Sequence, residues 1–293
     1  MKGPQGKSGH RDDSSERAAR DRIRDLTKKP APKRNPRPDS FDRPALRVFT
    51  TTLWEYPSQH YGPSGRVQGD PTYVGATPSW IIWQLLRRYT KEKDLVIDPM
   101  CGSGTTLDVA RDLGRRPLGY DLAPSRADIF RADARKLPLE DGKADFVFVD
   151  PPYSTHVDYS DDPRCIGKLS VGGEDGGRAY YEAMTRVIGE MHRVLRPGGH
   201  AGLYVSDSFE KSKATGGRTG FMPIGLDLFS IMREKFEPVD VVCVVRHNAK
   251  LAQGNWHKAA EEGNFFLRGF NYLFIVRKSA AKALPAAAEK PAR

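Results

Sequence analysis

Cysteine is scarce in this chain: three in 293 residues, at Cys101, Cys165 and Cys243, with no Cys-x-x-Cys pair. So sparse and odd a set argues against a disulfide framework and a structural zinc site, and it fits a reducing, cytoplasmic setting. Long apolar runs are also missing. None approaches the roughly 18 residues of a membrane span, and the charged, proline-rich N-terminus is not a secretory signal. No Gly-Lys-Ser/Thr follows the turn at Gly102 and Gly104, which excludes the phosphate loop of nucleotide triphosphatases there. Acidic residues are outnumbered, 37 against 47 Lys and Arg, giving a net charge of +10 and a pI near 9.5. That balance suits a polyanionic partner, although a merely soluble basic protein can carry it too.

The length allows one sizeable α/β core with tails, or two small domains. Residues 1–43 carry thirteen Lys/Arg against seven Asp/Glu, so six of the ten net positive charges lie there. Prolines at 30, 32, 36, 38 and 44 forbid a continuous helix after Lys29. This reads as a disordered basic arm, with a transient helix over Ser14 to Thr27, serving either to bind phosphates or only as a solvated tail. Ser279 to Arg293, rich in Ala, Pro and Lys, reads as a second disordered tail.

Between the tails, strands and helices alternate. Strands are expected at Leu95–Ile97, Arg116–Tyr120, Phe146–Val149, Ala201–Val205, Val241–Val245 and Phe270–Val276. Helices are expected at Thr105–Leu113, Arg178–Leu195 and Leu226–Phe236. Such alternation predicts one α/β domain over 44–278, built on a doubly wound, mostly parallel sheet with helices on both faces.

Asp98-Pro99-Met100-Cys101-Gly102-Ser103-Gly104-Thr105-Thr106 leaves the first of these strands and opens a helix, where doubly wound sheets bind ligands. Gly102 and Gly104 let a ligand approach the backbone, a property that would serve a dinucleotide equally well. Asp121 ends the next strand, twenty-three residues after Asp98, where a carboxylate can accept both hydroxyls of a ribose. Asp133 falls in the following loop, with a place beside an adenine amino group. Any one of these aspartates alone would read as a turn or cap residue. Three at successive strand ends read as a nucleoside site.

The stretch Asp98 to Thr106, continuing through Ala110, Leu113-Gly114-Arg115 and Gly119-Tyr120-Asp121, resembles motif I of the DNA amino-methyltransferases. The resemblance implies a Rossmann-like class I fold that binds S-adenosylmethionine (SAM). Asp98, Gly102, Gly104 and their neighbours Met100, Cys101, Thr105 and Thr106 would then hold its methionine part, Asp121 the ribose and Asp133 the adenine. Upstream, Thr77-Pro78-Ser79-Trp80 is similar to the family's motif X, which closes over the methionine carboxylate and adds Thr77 to the cofactor set. Trp80 and Trp83 read as core packing.

About fifty residues beyond the glycine turn, Asp150-Pro151-Pro152-Tyr153 follows the clearest strand in the chain. An exocyclic amine on a base is a poor nucleophile, because its lone pair is delocalised into the ring. Two acceptors must grip its hydrogens while the lone pair faces an electrophile, and the Asp150 carboxylate and Pro151 carbonyl supply them. Pro151 and Pro152 stiffen the loop, and Tyr153 offers a face for base stacking, worth roughly 1–3 kcal/mol. The tetrapeptide resembles motif IV of the same family, and the resemblance covers roughly Thr50 to Lys278. Many relatives place the two motifs in the opposite order, so this chain is permuted with respect to them.

His156 and Tyr159, in the loop that follows, could bracket a base, although His156 reads equally as a solvent-exposed residue. Cys165 is rejected as a nucleophile for cytosine C5 chemistry, which needs Pro-Cys after the equivalent strand. Ser206–Thr219 reads as a flexible basic loop, and Asn248–Asn264 as a second substrate loop. The expected reaction is methylation of adenine N6 or cytosine N4 in DNA. RNA is the alternative, through similarity to tRNA guanine-N2 methyltransferases, which share this motif order but usually carry an extra RNA-binding domain. No segment is long enough for a separate target-recognition domain. A specificity subunit or a homodimer is therefore a further expected partner beside the nucleic acid, and a membrane is not expected.

Overall fold

Phe146 to Val149 explains the layering of the molecule. In this computed structural model, which describes residues 44–61, 67–153, 157, 159–172, 175–211, 218–247 and 253–280, the run forms strand β5, Ala144–Val149. Its side chains alternate between two cores. Phe146 and Phe148 point to one face of the sheet, Val147 and Val149 to the other. A strand covered on both faces needs apolar residues at every position, hence the unbroken run.

The other strands are β1 (Leu53–Trp54), β2 (Leu95–Asp98), β3 (Arg116–Asp121), β4 (Ile129–Arg131), β6 (Leu195–Val205), β7 (Ser208–Lys211), β8 (Arg218–Met222), β9 (Glu237–Val245) and β10 (Phe270–Arg277). Among the described residues, eight strands form one sheet in the order β1-β9-β10-β6-β5-β2-β3-β4. Only β10 runs antiparallel to its neighbours, β6 and β9. Helices α1 (Ser79–Tyr89) and α2 (Thr105–Asp112) cover one face. Helices α3 (Arg178–Val194) and α4 (Ile224–Arg233) cover the other. This is the expected doubly wound, mostly parallel α/β arrangement.

The chain runs outward from β2 through β3 to β4, then returns to build β5 and β6 on the opposite side of β2. The resulting switch point lies between β2 and β5, which pair directly through Val96 with Phe146 and Ile97 with Val147. A crevice must open there at the carboxyl ends of the strands. Trp80 is buried in the core against the rings of Phe49 and Tyr56, as expected of it, and Trp83 is partly buried against Tyr61.

The structure departs from the sequence reading in several places. Strand β4 was not expected. β6 begins at Leu195, directly after α3, with Arg196 to Gly199 taken into a bulged start; Lys278 donates from Nζ to the carbonyls of His192 and Leu195 at the helix end. Helix α4 runs two residues earlier at its start, behind Pro223, and β9 begins at Glu237 rather than Val241. The supposed flexible loop at 206–219 contains β7, paired with β8 in an antiparallel hairpin. Within the supposed second loop, Gly254–Glu262 is a helix, α5. The arm at 1–43, the stretch 281–293, His156 and residues 248–252 lie outside the described residues.

Candidate active site

The loop after β2 is built around two carboxylates. Asp98 is 4% exposed; its Oδ1 accepts the Met100 amide at 3.0 Å and its Oδ2 the Thr106 hydroxyl at 2.5 Å. From β3, Asp121 Oδ2 accepts the Gly102 amide and Oδ1 the Ala123 amide, both at 2.9 Å. Each carboxylate thus shapes the backbone of the turn, and Asp121 keeps lone pairs for a ligand. Gly102 and Gly104 both have positive φ, +47° and +79°. A Cβ on Gly102 would come within 3.0 Å of the Tyr73 ring, so the glycine lets an aromatic wall close over the turn.

Asp150 leaves β5 at the neighbouring strand end. Its Oδ2 accepts the Thr77 hydroxyl at 2.6 Å, a contact spanning 73 residues of sequence. Burial pushes the Asp150 carboxyl up to about 7, against the opposing pull of the Thr77 hydrogen bond and with help from the Asp98 charge. Burial likewise raises Asp98 to about 7, offset by Thr106 and Met100 and reinforced by Asp121. Two interacting acids therefore line one small space, and among the described residues no cation offsets the burial of either. A positive centre placed between them would be stabilised, and would hold both ionised.

Three cavities among the described residues meet at Asp150. The first runs from Asp150 past Pro152 and Met100 to Asp121 and Asp133, with Tyr73, Tyr159 and Cys165 in its walls. Asp133 also pairs with Arg135, at 2.9 Å to Nε and 2.6 Å to Nη2. Burial would raise the Asp133 carboxyl, but Arg135 holds it below its ordinary value. The second cavity is the polar pocket of Thr77, Asp98, Met100, Cys101, Gly102, Thr105 and Thr106. The third, of about 360 Å³, opens on the other side of Asp150 and contains Tyr153, Tyr56, Trp80, Tyr204, Arg246 and Asn271.

The sequence-derived residues therefore gather about one carboxylate. A polar pocket for an amino-acid moiety adjoins a longer, more apolar cleft ending in two carboxylates, the shape an adenosyl amino acid requires. Gly104 and Pro151 line none of the three cavities. Gly104 instead turns the chain into α2, with Arg126 packed where its Cβ would be. Pro151 is buried. Cys165 lies in the first cavity and not in the third, where Tyr153 is. Tyr73, Gly75, Tyr204, Arg246 and Asn271 had no sequence signal, because each comes from a separate segment without a motif of its own.

Comparison with known proteins adds the following. The N6_N4_Mtase family model, described as DNA methylase, matches residues 11–132, a span that takes in the glycine turn and Asp121 but stops before Asp133 and Asp150. The Type II methyltransferase M2.DpnII of Streptococcus pneumoniae is 46% identical over 54 residues, 18% of this chain and 20% of that protein. The Type II methyltransferase M1.MboII of Moraxella bovis is 34% identical over 73 residues, 24% of this chain and 27% of that one. The chain thus spans about a fifth of the length of the curated relatives it matches. A solved putative DNA modification methylase from Thermus thermophilus, complexed with S-adenosylmethionine, aligns at 20% identity and a TM-score of 0.38, over 53% of this chain and 55% of that chain. No helix among the described residues is long and apolar enough to cross a membrane.

Proposed function

We propose, from the match of residues 11–132 to the N6/N4 DNA methylase family model, that this chain is a SAM-dependent methyltransferase acting on the exocyclic amine of adenine or cytosine in DNA. The observation that carries the reading is the position of Asp150, at the one point where the three cavities meet. In this reading the methyltransferase domain spans 44–278. Its working environment is cytoplasmic, and sequence recognition beyond the site falls to a specificity subunit or a second copy of the chain.

The cofactor supplies an electrophilic methyl group on a sulfonium. This chain's residues do the rest. Thr77, Asp98, Met100, Cys101, Gly102, Thr105 and Thr106 form the pocket for the amino-acid end; Asp121 takes the ribose and Asp133 the adenine edge. Gly104 sets the turn. A target base cannot reach such a crevice from within a duplex, so it enters flipped out, at a cost of a few kcal/mol. It lies in the third cavity against the face of Tyr153. The Asp150 carboxylate, which lines that cavity, accepts one amine hydrogen; by the family resemblance the carbonyl of the buried Pro151 would take the other, which turns the nitrogen lone pair toward the methyl. The nitrogen–carbon bond forms as the carbon–sulfur bond breaks, and the nitrogen then loses one proton to solvent. Pro152 keeps the loop stiff throughout.

A tritiated-methyl assay on DNA tests this directly. Asp150→Ala is expected to lower incorporation by about 10²–10³-fold while SAM still binds in calorimetry. A variant that methylates like the parent overturns the reading. Sequencing native genomic DNA with and without the gene then identifies the modified base.

A further inference from the structure

Asn271 lies in β10, paired with Val244 of β9, and is 6% exposed. Its Oδ1 is buried and has no hydrogen-bond partner among the described residues. The side chain lines the same cavity as Asp150 and Tyr153, and its other neighbour there is the buried Tyr204, whose hydroxyl it hydrogen-bonds. Buried amides are normally satisfied, so one half without a partner calls for an explanation. The cavity, of about 360 Å³, has room for a planar ring against Tyr153.

We propose that Asn271 is the residue that identifies the target base, by donating a hydrogen bond to the ring nitrogen adjacent to the reacting amine. The inference rests on the methyltransferase reading above. Adenine and cytosine each place an unprotonated ring nitrogen next to the amine-bearing carbon, at N1 and N3. With the amine on Asp150, that nitrogen is the next polar atom along the edge of the ring. A primary amide has a donor half and an acceptor half of nearly equal size, and a tyrosine hydroxyl can serve either. In the structure Nδ2 is the half on the Tyr204 hydroxyl and Oδ1 the half without a partner; with the amide turned over, Oδ1 accepts the Tyr204 hydroxyl proton, Nδ2 is the half left for the base, and both halves are satisfied once the base is seated. Tyr204 is then a positioning residue. It does not touch the base, but it fixes which half of the amide does.

The test crosses a base analogue with a substitution. Oligonucleotides carry the modified base or its ring-deaza analogue, 1-deazaadenine or 3-deazacytosine, in which C–H replaces the ring nitrogen. In the parent enzyme the analogue is expected to lower kcat/KM by about tenfold or more, the worth of one buried hydrogen bond. In Asn271→Ala the parent base is expected to react as slowly as its analogue does. Any change in amine reactivity caused by the analogue is common to both enzymes and cancels in the ratio. Tyr204→Phe keeps the ring and should reduce the discrimination in part, with SAM affinity unchanged; it serves if Asn271→Ala does not fold. An analogue penalty that stays the same in both variants overturns the assignment while leaving the methyltransferase reading intact. Methylation at guanine N2, whose amine-bearing carbon is flanked by a protonated N1 as well as an unprotonated N3, overturns the adenine-or-cytosine reading and the assignment together. Absence of methyl transfer to any nucleic acid by the parent enzyme overturns both.

Discussion

Asp98 and Asp150 set the acid–base behaviour of the site. Both carboxyls are raised from 3.8 to about 7 because burial disfavours their charged forms, reinforced by the Asp121 charge at Asp98 and by the Asp98 charge at Asp150. Protonation of these groups therefore favours the unliganded fold, a contribution complete below pH 4 and lost as pH rises through 7. Catalysis asks for the opposite state, since only an ionised Asp150 leaves both oxygens free to accept. Methyl transfer should rise with pH through about 7 on its acid side, the two acids titrating as a pair. A sulfonium beside them favours their ionised forms, so the limb in kcat, with cofactor bound, should lie at lower pH than the limb in kcat/KM for SAM. Thr77 adjusts this poise through its 2.6 Å hydrogen bond to Asp150, which favours the charged form. Thr77→Val should accordingly move the acid limb to higher pH, with the rate depressed at pH 7 and largely recovered at pH 9. A pH–rate profile of the variant that superimposes on the parent's would remove Thr77 from the mechanism.

The elements that were legible in the sequence are those whose burial is complete or whose turn chemistry is local. Phe146 to Val149 announced β5 because both faces are covered, and Asp98 to Thr106 announced the strand–turn–helix because the glycines recur at fixed spacing. The motif pair could be read, but not that Thr77 and Asp150 touch, since that contact follows from the order of strands in the sheet. β4 was missed because it has only three residues, two of them exposed. α5 has no buried residue, hence no apolar stripe to detect. The β7–β8 hairpin carries Arg268 over the rings of Phe209 and Phe221, a pairing invisible along the chain. Glycines, too, differ by position in ways the sequence does not display. Gly102 has φ +47° and faces the Tyr73 ring, whereas Gly189, inside α3, has open space where a Cβ would go. Gly102→Ala is expected to destabilise the protein by about 1–2 kcal/mol and to weaken SAM binding. Gly189→Ala should stabilise it by about 0.5–1 kcal/mol with SAM binding untouched. Urea unfolding and calorimetry on the two variants separate a strained turn from a general loss of fold.

For the molecule as a whole, the distribution of charge bears on how DNA is engaged. In the proposed reading the reaction chemistry lies within 44–278, while residues 1–43 hold thirteen of the 47 Lys and Arg and six of the ten net positive charges. Each phosphate neutralised by a protein cation releases counterions, so affinity falls with salt at a slope of about 0.9 per phosphate in a log–log plot. If the arm binds phosphates, deleting residues 1–43 should weaken DNA binding most at low salt and make that slope shallower by about 0.9 for every phosphate no longer neutralised. The rate at saturating DNA and SAM should not change, because no residue of the cofactor or base pockets is removed. Fluorescence anisotropy of a labelled duplex between 50 and 200 mM salt, about the range over which such slopes are resolved, decides the matter. A deletion variant with the parent's slope would make the arm a solvated tail and shift the phosphate contacts to cations nearer the crevice, such as Arg246, which lines the third cavity.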